Sequence, residues 1–180
     1  EEYRKLNQRL HQDNPYYGVS GHLRADAVIG IAQQLNTQDV LDYGCGKGTL
    51  AQNIPWPIHE YDPAIPGKDR DPDPADIVVC TDVLEHIEPE LLDHVLMDIG
   101  RCTKKIAYLV VHTGPSLKTL PDGRNTHLIQ ENRDWWYQHL ERWFIIDDCH
   151  EHGYEVHFVV RRKGEVNPNL VDIDRQSQVT

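Results

Sequence analysis

Two runs of apolar residues, Ile77-Val78-Val79-Cys80 and Ile106 to Val111, carry no charged side chain to turn toward water. Runs of this kind suit strands covered on both faces, which is the situation of inner strands in a parallel sheet. Between them, Glu88 to Cys102 places Leu91, Leu92, Val95, Leu96 and Ile99 at helical spacing, with Pro89 near its start. Strand, helix and strand in that order predict a right-handed crossover and hence a parallel sheet.

The rest of the chain extends the alternation. Glu2 to Gln12 reads as a helix through Tyr3, Leu6 and Leu10, and it breaks at Asp13-Asn14-Pro15. His22 to Leu35 reads as a second helix with Leu23, Ala27, Ile31 and Leu35 as its buried stripe, ended by Asn36. Val40-Leu41 opens a short strand that runs into a glycine turn, with Thr49-Leu50-Ala51 opening a helix. Ile58 to Tyr61, bracketed by Pro55, Pro57 and Pro63, predicts a second strand, and Ala64 to Ala75 is a polar, proline-rich loop. Glu131 to Trp143 predicts a helix, and its Trp135, Trp136, Trp143 and Phe144 are read as core packing ahead of a substrate wall. Phe144 to Asp148 and Tyr154 to Arg162 predict two final strands. The alternation of Tyr154, Val156, Phe158 and Val160 with wetter residues marks the last strand as antiparallel.

The expected fold is therefore α/β: a doubly wound, mostly parallel sheet with helices on both faces and an antiparallel last strand. With 180 residues, 39% of them hydrophobic, the chain suits one domain, residues 1–163, whose first 36 residues form N-terminal helices and a lid. Residues 164–180 are polar and expected to be a loose tail.

Eighteen Lys and Arg against 29 Asp and Glu give a formal charge of −11, which disfavours nucleic-acid partners. No run approaches the roughly 18 apolar residues of a membrane span, and the polar first twenty residues do not suit a signal peptide. Cys45, Cys80, Cys102 and Cys149 are widely spaced, which argues against a zinc site and fits free thiols in the cytoplasm. The run Asp147 to His152 is read as a solvated turn, so no metal is expected.

The chemistry collects at the turn Asp42-Tyr43-Gly44-Cys45-Gly46-Lys47-Gly48. Its G-x-G-x-G spacing is neither the dinucleotide fingerprint nor a phosphate-binding loop. Asp42 beside it favours a cationic ligand over a pyrophosphate. Asp62, at the end of the second strand, can accept both hydroxyls of a ribose, and Thr81-Asp82-Val83-Leu84-Glu85-His86 follows the third strand at the same edge.

The segments Val40 to Gly48, Tyr61-Asp62-Pro63 and Ala75 to Ile87 resemble class I, Rossmann-like methyltransferases that use S-adenosylmethionine, of the small-molecule type. The resemblance spans roughly residues 38–112. It implies that Asp42, Gly44, Cys45 and Gly46 hold the methionine part of the cofactor and Asp62 its ribose. Thr81, Asp82 and Val83 would border the adenine and the methyl group, with His86 opening the next helix. Between Asp62 and Asp76 the family has a further helix and strand, and thirteen residues cannot supply both, so the sheet is expected to be shortened there. Substrate contacts are expected from the N-terminal loop, including Tyr17, and from the long polar loop after Val111, including Arg124 and Asn125. Where a proton must leave the acceptor, His127, His112 and His86 are the candidate bases, in that order. The expected reaction moves a methyl group to oxygen or nitrogen, ahead of carbon, of a small molecule. The alternatives are a catalytically idle scaffolding subunit and a nucleic-acid or protein methyltransferase.

Overall fold

The computed structural model describes residues 2–164; most of the expected tail lies outside them. Six strands form one sheet: β1 (Val40–Tyr43), β2 (His59–Tyr61), β3 (Ala75–Thr81), β4 (Thr103–His112), β5 (Phe144–His152) and β6 (Glu155–Arg162). Their order is β2-β1-β3-β4-β6-β5. The pairs among β1 to β4 are parallel, and β6 runs antiparallel to both neighbours, as the alternation in its sequence predicts. Among the described residues no strand lies beyond β2, so the sheet is shortened at that edge.

Four α-helices accompany the sheet: α1 (Glu2–Asp13), α2 (Ala25–Leu35), α3 (Leu92–Cys102) and α4 (Arg133–Leu140). Because side chains alternate across a strand, β3 sends Ile77 and Val79 to one face and Val78 and Cys80 to the other. Val28 and Ala32 of α2 pack with Ile77, Val79 and Tyr108 on the first face. Leu96 and Ile99 of α3 pack with Trp136 and Leu140 of α4 on the second, against Val78, Cys80 and Leu109. Trp136, Trp143 and Phe144 are buried in this second layer, as expected of core aromatics.

Several local expectations change. The buried stripe of α2 is Ala25, Val28 and Ala32, whereas Leu23 sits in a preceding 3-10 turn (Ser20–Arg24) and is exposed. Both stripes have helical spacing, and only the sheet decides which faces inward. Asn36 does end α2, in the left-handed conformation at φ 48°. After the glycine turn there is only a 3-10 turn, Ala51–Asn53, instead of a helix, because Pro55 and Pro57 leave no room for one. Asp147 to His152 belongs to the edge strand β5 and is not a turn.

Candidate active site

The parallel strands β1, β2 and β3 all point their carboxyl ends at one cavity of about 610 Å³, a size typical of small-ligand sites. Its floor is the turn after β1. Gly44 and Gly46 have φ of 85° and 51°, a region that favours glycine. A Cβ on Gly44 would collide with Val83, and one on Gly46 would stand 2.7 Å from the Gly18 carbonyl. The glycines thus let two other segments close over the turn.

The first of these is the N-terminal segment. Gly18 O accepts from Lys47 N–H at 2.9 Å, Lys47 Nζ donates to Asn14 O, and Thr49 Oγ1 donates to Val19 O. Tyr17, buried, donates its hydroxyl to Asn7 of α1 and lies edge-on to His86. Burial pushes the Tyr17 hydroxyl far above the ordinary tyrosine range, so it stays a neutral donor. The second segment is the turn after β3, where Asp82 (φ 55°) and Val83 line the cavity.

Asp62 closes the end of β2. It is 7% exposed, and its Oδ2 and Oδ1 accept from the backbone N–H groups of Gly46 and Ala64, each at 2.9 Å. A carboxylate oxygen has a second lone-pair site, so both oxygens can still receive a hydroxyl.

The opposite wall holds three histidines. His86 closes a 3-10 turn (Leu84–His86) rather than opening a helix, and α3 begins six residues later, after Pro89. The His86 and His127 rings meet edge-on at 4.8 Å, and the His112 and His127 rings lie tilted to each other at 4.9 Å. His86 Nδ1 bonds Thr126 O and His127 Nδ1 bonds Gly114 O, each at 2.7 Å. Carbonyls only accept, so Nδ1 carries the proton in both rings and Nε2 keeps its lone pair. Burial lowers His86 to about 3 and lowers His127 as well. Beneath them Glu85 is fully buried, and burial raises its carboxyl well above the usual range.

The sequence-derived residues therefore divide. Gly44, Gly46, Asp62, Asp82, Val83, Tyr17, His86, His112 and His127 line the cavity. Asp42, Cys45 and Thr81 lie behind its wall, buried. Burial lifts Asp42 to about 7 and the Cys45 thiol to about 12. Arg124 pairs with Asp122 at 2.7 Å on the surface. Asn125 staples its own loop: its side chain accepts from Ser116 N–H and His127 N–H and donates to Ser116 O. Neither lines the cavity; Asn125 instead fixes the backbone that carries His127. Tyr3, Asn7 and His11 of α1, with Lys118 and Glu155, also line it without a motif to mark them. Only the topology brings them there.

A Rossmann-like sheet with a glycine turn, a buried acid after the next strand and a cavity at the carboxyl ends defines a nucleotide-type binding fold. The sequence pattern of the methyltransferase-domain family matches residues 7–157, and the chain belongs to that family. No curated protein sequence matches the chain. Among solved structures, the 1,6-didemethyltoxoflavin-N1-methyltransferase of Burkholderia thailandensis, with bound 1,6-didemethyltoxoflavin and S-adenosylhomocysteine, is similar at a TM-score of 0.64 and 16% identity, over 90% of this chain and 89% of that one. The magnesium protoporphyrin IX methyltransferase of Synechocystis PCC 6803, with bound S-adenosylhomocysteine, is similar at 0.54 and 17%, over 79% and 84%. These likenesses are of fold. Among the described residues no helix is long and apolar enough to cross a membrane.

Proposed function

We propose that the chain is an S-adenosylmethionine-dependent methyltransferase that alkylates an oxygen or nitrogen atom of a small molecule. The cavity carries this reading: a buried acid, a floor without Cβ atoms and a histidine wall meet at the carboxyl ends of β1 to β3. The cofactor fits what is there. Asp62, with a lone pair free on each oxygen, suits the two ribose hydroxyls, and Gly44 and Gly46 leave room for the amino-acid end. Asp42 lies buried behind the turn and makes no direct contact with the cavity. When bound, the cofactor supplies an electrophilic methyl group on a sulfonium.

The chain's own residues then orient and shield. The segment around Tyr17 and Gly18 closes over the glycine turn and excludes water, and holding the acceptor in line accounts for much of the acceleration in such displacements. Where the acceptor atom carries a proton, the imidazoles of His127 and His112 stand at the cavity wall to receive it. The two neighbours above are named as methyltransferases of 1,6-didemethyltoxoflavin and of magnesium protoporphyrin IX, and the net charge of −11 disfavours a nucleic-acid acceptor. The four free thiols support a cytoplasmic setting.

Calorimetric titration with S-adenosylmethionine and S-adenosylhomocysteine, on the intact chain and on Asp62→Ala, tests the reading. Micromolar binding lost in the variant, followed by methylation of a member of an acceptor panel, is the expected result. An intact chain that binds neither compound would instead be an idle scaffold.

A further inference from the structure

We propose that Glu85, His86 and His127 form a binding site for a divalent transition-metal cation in the wall of this cavity. One ligand atom from each residue lies within 4.8 Å of the others. The carboxyl of Glu85 has no exposed surface. Its Oε1 accepts from His112 N–H at 3.0 Å, while its Oε2 is buried with no partner. A buried oxygen left without a donor is unfavourable, and a cation beside it would remove the penalty.

The two imidazoles are arranged to complement that oxygen. Each has its Nδ1 bound to a backbone carbonyl, leaving Nε2 as the coordinating atom, and this is how metal-bound histidines are usually oriented. The third ligand comes from a distant part of the chain, yet its position is fixed. Ile129 N–H donates to Glu85 O at 3.0 Å, and Asn125 holds the His127 backbone, so the loop after β4 is tied to the turn after β3. Atoms bound to one zinc ion are about 3.4 Å apart, so binding would draw together ligand atoms that now lie within 4.8 Å of one another.

Two imidazoles and one carboxylate favour first-row ions such as Zn2+ over Mg2+ and Ca2+, which prefer oxygen ligands. Three protein ligands leave an open position for an acceptor oxygen, whose hydroxyl proton the cation would make more acidic. His112 then remains as the imidazole able to receive that proton. The site rests on the cavity being that of a methyltransferase, and the two readings can fail separately.

The test uses the full chain stripped by a chelator and then titrated with Zn2+, with Mg2+, and with S-adenosylhomocysteine. We expect one saturable Zn2+ per chain that Mg2+ does not displace. Affinity should fall about tenfold or more in Glu85→Gln and in His127→Gln, and stay unchanged in His150→Gln, which removes the exposed pair with Asp148. Circular dichroism checks that each variant folds; if Glu85→Gln does not, His127→Gln decides. Absence of saturable Zn2+ binding, or binding that survives the His127 and Glu85 substitutions, would overturn the site. If S-adenosylhomocysteine still binds in that case, the proposed function stands; if neither binds, both readings fall.

Discussion

Gly46 offers a measurement of how firmly the N-terminal segment sits on the glycine turn. In Gly46→Ala the residue must hold φ 51°, which costs an L-residue about 1–2 kcal/mol. Its new Cβ would also stand 2.7 Å from Gly18 O and 2.9 Å from Gly18 Cα, both backbone atoms that cannot swing aside. Moving Gly18 away breaks the hydrogen bond from Lys47 N–H, a further loss of about 0.5–1.5 kcal/mol. The sum is about 1.5–3.5 kcal/mol, or a fall in Tm of about 3–14 °C for a domain of this size. Gly153→Ala is the control: it imposes a similar backbone strain at φ 63°, in the β5–β6 turn, with open space around the added carbon. Its Tm should fall by about half as much, and binding of S-adenosylhomocysteine should be unchanged, whereas Gly46→Ala should weaken it about tenfold. Differential scanning calorimetry with ligand titration reads both quantities. Equal effects of the two substitutions on Tm and on binding would refute the closed arrangement of the lid.

Asp62→Ala removes the acceptor of two backbone N–H groups as well as the ribose contact, so we expect about 2–4 kcal/mol lower stability in urea denaturation and a loss of ligand binding. Burial lifts the Asp42 carboxyl from 3.8 to about 7, so the folded chain keeps a proton that the unfolded chain releases above about pH 4. That residue's contribution to stability therefore falls as pH rises from about 4 to about 7, by about 4 kcal/mol at most, and Asp42→Asn should flatten this part of the profile. A wild type and variant with parallel pH profiles would contradict the burial argument. Arg24 joins the turn before α2 to Glu155 of β6 at 2.5 Å, and it is 8% exposed. Arg24→Met should cost about 2–4 kcal/mol in chemical denaturation. A loss below about 0.5 kcal/mol would mean the pair contributes little.

The sheet was legible because its signals are local: unbroken apolar runs for β3 and β4, alternation for β6, and a span between Asp62 and Asp76 too short for another helix and strand. Helical periodicity was a weaker guide. In α2 it named Leu23 and Ala27, and the sheet buries Ala25 and Val28, because two stripes of similar spacing cannot be told apart without the surface they meet. At the site, residues adjoining the glycine turn or a strand end, such as Asp62, Val83 and His86, followed from the motifs. Tyr3, Asn7 and His11 did not, since α1 reaches the cavity only through tertiary packing. Arg124 and Asn125 show the opposite failure: a long polar loop suggests contacts with a ligand, but here much of its polarity satisfies the loop's own backbone. Glu85 stood beside His86 in the sequence, yet only its complete burial distinguishes it from a surface acid.

The shortened sheet also decides what its two edges offer to a strand from another chain. Omitting the outer strand leaves β2 as an open edge, where unpaired backbone groups could template the addition of a strand from another copy. This edge is three residues long and lies between Pro57 and Pro63, which offers an incoming chain almost no ladder to extend. At the far side β5 is nine residues long; Arg161 pairs with Asp147, but the exposed carboxylates of Asp148 and Glu151 remain along it, so a second copy would meet like charge there. Brevity thus blunts one margin and like charge the other, so a sheet with one strand fewer need not present an adhesive border.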